Sequence, residues 1–181
     1  MKISTKTIVT VGMFAAVISV LSIVSIPMPS GVPVTLQTFA IALGGYVLGA
    51  KRGTAATLVY LLIGAVGIPV FAGMTGGFSR FLSHTGGFLW GFIFLSLLCG
   101  IGIRCRPVWM RIALGIAGLA VCHLFGVLQF AAVTGNRIPQ AFLLASAPYI
   151  AKDVVSAVCA YIVALPIRRA LSVSRITSSS Y

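Results

Sequence analysis

Long apolar runs separated by short polar clusters make up the chain, and the clusters carry almost all of the charge. The first run extends from about Ile8 to Ile26 and is closed by Pro27-Met28-Pro29-Ser30-Gly31. The second, about Val34 to Ala50, opens on Pro33-Val34-Thr35-Leu36-Gln37-Thr38 and gives way to Lys51-Arg52. The third, about Thr54 to Ile68, is short and ends at Pro69. The fourth, about Leu89 to Ile103, leads into Arg104-Cys105-Arg106-Pro107, and the fifth, about Ile112 to Val133, contains His123 and Gln129. After the loop Thr134 to Pro139, the sixth runs from about Tyr149 to Leu165 and is followed by Arg168-Arg169 and a Ser-rich end that is expected to fray. A bilayer crossing takes roughly 20 apolar residues. The pattern therefore predicts an all-α integral membrane protein, residues 1–181 forming a single domain of six transmembrane helices.

Between the third and fourth runs the pattern breaks down. Residues 69–88 are apolar enough to stay near the membrane but too rich in glycine for a stable helix. Two Thr-Gly-Gly-Phe repeats, Thr75-Gly76-Gly77-Phe78 and Thr85-Gly86-Gly87-Phe88, flank Arg80. Non-helical backbone at membrane depth is tolerated where it is packed in protein or lines a cavity. A packed glycine-rich turn is one reading; a binding loop is favoured because an arginine sits in its middle.

Composition narrows the class. The chain is 59% hydrophobic and 8% charged, too little charge to coat a soluble domain. A net charge of +12 raises the question of nucleic acid, but the cations lie in clusters between apolar runs, the pattern of membrane orientation signals. With six crossings, Lys2, Lys6, Lys51, Arg52, Arg104, Arg106, Arg111, Arg168, Arg169 and Arg175 share one side, while Arg80, Arg137 and Lys152 lie on the other. The positive-inside rule then puts both termini in the cytoplasm of a multi-pass cell-membrane protein. Cys99, Cys105, Cys122 and Cys159 lack CxxC spacing, and three lie within apolar runs. They are expected to be small buried hydrophobes rather than metal ligands.

The chemistry gathers on the outer side. Asp153 is the chain's only acidic residue, placed next to Lys152 at the start of the sixth run. A carboxylate at membrane depth persists only where something pairs with it or uses it. Adjacent helical residues do not face each other, so Asp153 is expected to meet Arg80, a polar loop group or a ligand rather than Lys152. A fitting ligand has an anionic end for Arg80 or Lys152, N–H donors for Asp153, and an apolar body for Phe71, Phe78, Phe88 and Tyr149. Thr75, Thr85, Gln37 and loop amides would serve its acceptor. Biotin meets these demands, as do other small carboxylates with a donor-bearing head. The first run adds the small-xxx-small pairs Gly12/Ala16 and Ala15/Ser19, suited to close approach by a helix of this chain or of a partner.

Four segments resemble the BioY family: Pro33 to Phe39, Gly64 to Gly73, Thr85 to Phe92 and Pro148 to Asp153. They occur in the family's order, and the likeness runs from the first span to the sixth. BioY proteins are substrate-binding S components of energy-coupling-factor (ECF) biotin transporters. The resemblance implies a six-helix fold that binds biotin near its outer face, with no cofactor and no catalytic residues. It also implies a first helix, here Gly12, Ala15, Ala16 and Ser19, docking on a transmembrane coupling protein that bears two cytoplasmic ATPases. Asp153 matches the family aspartate as a biotin ligand, and Thr75, Gly76, Gly77, Thr85 and Gly86 fall in the family's loop. Two positions depart from the pattern. His84 stands where the family usually has proline, removing a rigid residue. Ser156 stands where it usually has lysine, three residues after the aspartate. Lys152 is expected to substitute, because positions −1 and +3 lie about 40° apart on a helix.

Rival functions have thinner support. The sequence has no G-x-x-x-x-G-K-[ST] loop, so ATP would be hydrolysed by partners. A proton-coupled carrier of another small carboxylate or vitamin would use Asp153 and His123 as a relay, without the paired broken helices such carriers show. A membrane enzyme lacks a Ser/His/Asp set, a metal cluster or paired carboxylates in the sequence pattern. A scaffold would not need Arg80, Lys152 and Asp153 in its outer half.

Overall fold

The structure, a computed structural model, describes residues 5–29 and 31–177, with side chains up to residue 171. Lys2, the side chain of Arg175 and the Ser-rich end at 178–181 lie outside the described residues. Helix α1 (Thr5–Ile23) leads to strand β1 (Ser25–Ile26), which pairs antiparallel with β2 (Val34–Thr35). Then follow α2 (Gln37–Ala65), the one-turn α3 (Ser79–Leu82), α4 (Gly86–Gly102), α5 (Val108–Thr134), α6 (Ile138–Ala145) and α7 (Ala147–Thr177). Thr5–Ile23, Val108–Thr134 and Ala147–Leu171 are long and apolar enough to cross a membrane, and Gly86–Gly102 is a shorter apolar helix. The fold is all-α apart from the two-residue strands.

The second and third apolar runs are not separated by a loop. They are the two arms of α2, which reverses direction at Gly49, where φ is 78° and ψ 174°. That conformation is essentially restricted to glycine. The arms lie side by side, for the Gln37 amide nitrogen reaches the Tyr60 hydroxyl at 2.5 Å across the hairpin. Breaking the helix leaves carbonyls before the break without intrahelical partners. The guanidinium of Arg168, from α7, donates to Tyr46 O at 3.0 Å and Val47 O at 2.8 Å. Tyr46, fully buried, in turn donates to Arg111 O at 3.1 Å, and Arg111 closes the α4–α5 turn through Cys105 O at 2.8 Å.

Small residues allow the helices to approach closely. A Cβ on Gly91 of α4 would stand 2.5 Å from the Cys122 Cα of α5, so only glycine admits this crossing. The main core joins α1, α2, α4 and α7 around Ile18, Ile41, Tyr60 and Leu95. A smaller cluster, Val32, Val127, Phe130, Ala141, Ala145 and Tyr149, lies beneath the β1–β2 connection.

Several expectations need correction. Val34-Thr35 is strand rather than the start of a span, and α4 begins at Gly86 rather than Leu89. Helix α6 occupies a stretch read as loop and linker; Pro139 sits in its first turn, where a missing N–H costs nothing. The small residues of α1 do not share one free face. Ala15 and Ser19 are buried with Phe14 and Ile18, while Gly12 and Ala16 are exposed. Cys99 and Cys122 are buried as expected, but Cys159 is exposed.

Gly49→Ala places a Cβ in the glycine-only region and should cost about 1–3 kcal/mol. Thermal unfolding of the detergent-purified protein checks this, and an unchanged melting temperature would show that the reversal is not held by Gly49.

Candidate functional site

One end of the helix assembly encloses a cavity of about 340 Å³. That size falls in the range of small-molecule sites. The connection after α1, the start of α2, the 69–85 loop, α5 and the first turns of α7 all contribute to its wall. Phe71, Phe88, Leu89, Phe92 and Leu119 give it an apolar body.

Sequence and local structure explain how the covering segments stay in place. Phe71 and Thr75 pair across a tight turn, and the Thr75 hydroxyl donates to Ala72 O at 2.9 Å. The carboxamide of Gln129, on α5, donates to Phe81 O at 2.6 Å and Ser83 O at 2.8 Å, pinning the end of α3. His84 Nε2 lies 3.2 Å from Gly31 O and joins the two covering connections. Where proline would have stiffened one loop, histidine cross-links two. From α7, the Tyr149 hydroxyl donates to Val32 O at 2.5 Å, and the Lys152 ammonium donates to Thr35 O at 3.1 Å.

Asp153 is 6% exposed and lies on the cavity wall. Its Oδ1 is 2.5 Å from Lys152 Nζ, and Oδ2 is 3.2 Å from His123 Nε2. The expectation that Asp153 would avoid its neighbour is thus overturned. The helical-spacing rule concerns where Cβ atoms point, whereas the four-carbon stem of lysine folds back to reach an adjacent carboxylate. His123 Nδ1 is 2.9 Å from Ser146 Oγ, completing a buried Ser–His–Asp chain that sequence spacing had not revealed. It does not form a nucleophile, because Ser146 is fully buried and lies away from the cavity.

Of the residues expected at a site, Asp153, Arg80, Lys152, Thr75, Thr85, Tyr149 and Gln37 line the cavity together. Gly76, Gly77, Gly86 and Phe78 do not. Gly76 packs on the end of α2, where a Cβ would stand 2.5 Å from Ile68 O, and the Gly77 amide donates to Gly64 O at 2.7 Å. Gly86 packs against the Phe81 carbonyl, and Phe78 is exposed and stacked on Phe81. These positions build the turn rather than face the cavity. Thr38, His84 and His123, absent from the expected set, also line it. The signal for His123 was available: it is the one basic side chain within the fifth apolar run.

The charge balance of the wall is simple. Lys152 and Asp153 cancel, while the Arg80 guanidinium makes no ion pair or hydrogen bond among the described residues. The cavity therefore carries a spare positive charge. Asp153 Oδ1 is covered and sits against the Lys152 ammonium, while the Asp153 residue itself forms part of the wall.

Comparisons with known proteins bear on the family and the fold. The sequence matches the family described as "BioY family" over residues 1–173. A probable biotin transporter BioY of Pyrococcus horikoshii is 38% identical over 159 residues, which cover 88% of this chain and 94% of that protein. The biotin transporter BioY of Thermotoga maritima is 36% identical over 166 residues, 91% of this chain and 96% of the relative. A crystal structure described as the S component for biotin from an ECF-type ABC transporter superposes with a TM-score of 0.80. That match covers 94% of this chain and 95% of the other at 22% identity, and it gives the fold: that of an S component. The chain is a multi-pass membrane protein and a transporter component rather than an enzyme, and it belongs to the BioY family.

Proposed function

We propose that this protein binds biotin in the 340 Å³ cavity and carries it across the membrane as the S component of an ECF-type transporter. The observation that carries this reading is the charge inventory of the wall: a cancelled Lys152–Asp153 pair and one spare cation at Arg80. A monoanion with an N–H-bearing head and an apolar body neutralises the site and gives the Asp153 carboxylate a donor. Biotin is such a molecule. Its carboxylate pairs with Arg80, a ureido N–H donates to the Asp153 carboxylate, and its sulfur ring lies among Phe71, Phe88 and Phe92. Gln37, Thr75, Thr85 and Tyr149 complete the polar lining. Lys152, holding Asp153 from the preceding position, takes the place of the lysine that Ser156 lacks.

The same reading gives a single membrane domain with six crossings, the arms of α2 counting as two, and both termini in the cytoplasm. Lys51, Arg52, Arg104, Arg106, Arg168 and Arg169 then mark the inner end and the cavity opens outward. A transmembrane coupling protein with two cytoplasmic ATPases supplies the energy. It docks on the exposed side of α1 that carries Gly12 and Ala16, since Ala15 and Ser19 are buried in this chain's own packing.

Radiolabelled-biotin binding to the detergent-purified protein tests the site. Asp153→Asn should lose binding. Arg80→Ala should weaken biotin about 10- to 100-fold, the worth of a hydrogen bond to a charged group. It should leave the affinity for biotin methyl ester nearly unchanged, because the ester presents no anion; equal losses for acid and ester would remove Arg80 from the carboxylate.

Gly12→Trp with Ala16→Trp should block co-purification with the coupling subunits while biotin binding by the isolated protein persists. Undiminished co-purification would move the docking surface elsewhere.

The pairing of His123 with Asp153 favours a second reading, a proton-coupled carrier. Uptake into cells should stop when ATP is depleted and continue when a protonophore is added with ATP maintained. The reverse result selects the carrier.

A further inference from the structure

The ligand-facing inventory leaves one buried arrangement without a task. His123 is 9% exposed, Ser146 is fully buried, and together with Asp153 they link α5, the α6–α7 junction and α7. Burying three polar groups in series is rarely a gain in stability over well-packed apolar side chains. Ser146 closes the C-terminal end of α6, where its backbone N–H bonds Phe142 O and its hydroxyl meets the imidazole. The arrangement is better explained by what it does to Asp153.

We propose that His123 is a positioning residue for the Asp153 carboxylate, with Ser146 fixing the tautomer of its imidazole. An ionised carboxylate only accepts, so the contact of 3.2 Å to Oδ2 requires a proton on His123 Nε2. In the neutral ring Nδ1 is then an acceptor, and the Ser146 hydroxyl, 2.9 Å away, donates to it. The opposite tautomer would turn a lone pair toward the carboxylate. Phe88 meets the imidazole edge-on at a centroid distance of 5.8 Å and an interplanar angle of 89°, which limits its rotation.

The consequence falls on Asp153. The terminal torsion of an aspartate is broad and roughly two-fold, so an unrestrained carboxylate presents either oxygen over a range of angles. With Oδ2 held by His123 and Oδ1 against Lys152, the plane in which the carboxylate meets the cavity is set. His123 thereby acts on the ligand through Asp153. The inference deepens the biotin-site reading and relies on it for the ligand's identity; the tautomer and its cause stand on the geometry alone.

Two measurements on the full-length protein test this. The first compares radiolabelled-biotin affinity and melting temperature for wild type, His123→Leu and His123→Gln. Leucine removes the donor, whereas the glutamine amide nitrogen occupies the place of Nε2 and retains an N–H for Oδ2. Loss of about 10- to 100-fold in affinity for His123→Leu is expected, the range for a hydrogen bond to a charged group, with most of it restored in His123→Gln. Wild-type affinity in His123→Leu overturns the proposal. So does equal weakening in both variants at unchanged melting temperature, which would make the ring's shape the relevant property.

The second measurement is the imidazole ¹⁵N spectrum of histidine-labelled protein in proteoliposomes, assigned by the resonance missing from His123→Gln. The Nε2–H tautomer is expected in wild type and a mixture of tautomers in Ser146→Ala, accompanied by weaker biotin binding. An Nδ1–H ring in wild type, or a spectrum indifferent to Ser146→Ala, overturns the assignment. Should wild type fail to bind biotin at all, the functional reading falls while the spectrum still decides whether His123 is held as described.

Discussion

A carboxylate that must remain ionised within a membrane protein cannot be left to water, and this chain has a single one to accommodate. Much of the cavity end follows from how that is done. Lys152 neutralises Asp153 from the adjacent position, and its ammonium is also bonded to Thr35 O, so the same cation fixes the start of the strand connection. His123 takes the second oxygen and ties α5 to α7. One turn earlier, Tyr149 anchors Val32. Segments more than 100 residues apart in sequence are thereby held to the first two turns of α7, and the wall they form is the cavity. Without those anchors the connection between α1 and α2 would be a Pro- and Gly-rich loop with little reason to adopt one conformation.

The opposite end obeys the same rule applied to backbone rather than side chain. Reversing a helix at Gly49 frees carbonyls in a place where unsatisfied groups cost several kcal/mol. Arg168 satisfies two of them, and Arg111 binds the carbonyls of Cys105 and Arg106 as well as the Tyr161 hydroxyl. The basic clusters that signal orientation in the sequence thus include residues that close helix ends. A count of cations registers their side of the membrane but not this second task. Both of the Arg168 contacts come from a single nitrogen, Nη1, shared between the two carbonyls.

The parts of the fold legible in the sequence were those set by hydropathy alone: the apolar runs reappear in α1, the arms of α2, α4, α5 and α7. What was not legible depended on contacts between distant residues. Lys51-Arg52 looked like a loop because charges interrupt an apolar run, yet Gly49 alone makes the turn and helix resumes at once. The stretch 138–145 has helical periodicity, but its Pro139 suggested a breaker rather than a first-turn residue. For the site, residue type identified the charged part of the cavity wall, Arg80, Lys152 and Asp153, because charged side chains in the outer half of an apolar chain have few other uses. Geometry within it was another matter. The glycines of the two repeats looked like exposed amides but serve to pack backbone on backbone, and a mid-helix histidine proved to be the partner of the lone acid. On α1, small residues at helical spacing divided between an inner and an outer face, a distinction of about 100° per residue that composition does not carry.

Charge also bears on how such a protein works with partners that supply the energy. With Lys152 and Asp153 cancelling, the cavity wall has an unpaired guanidinium at Arg80, which is only partly buried. Moving a site of that kind relative to the bilayer is opposed by the cost of carrying a bare charge away from water. On the proposed reading a bound monoanion removes that charge and meets the Asp153 carboxylate with its N–H donor at the same time. The loaded form is then the one whose site is electrically neutral. A neutral ligand of the same shape would leave Arg80 uncompensated, and a dianion would replace one excess charge with another. On that reading selection for a monoanion need not rest on affinity alone: the same balance that favours its binding would also lower the barrier to moving the loaded site, so the ligand would be favoured at capture and again at transfer.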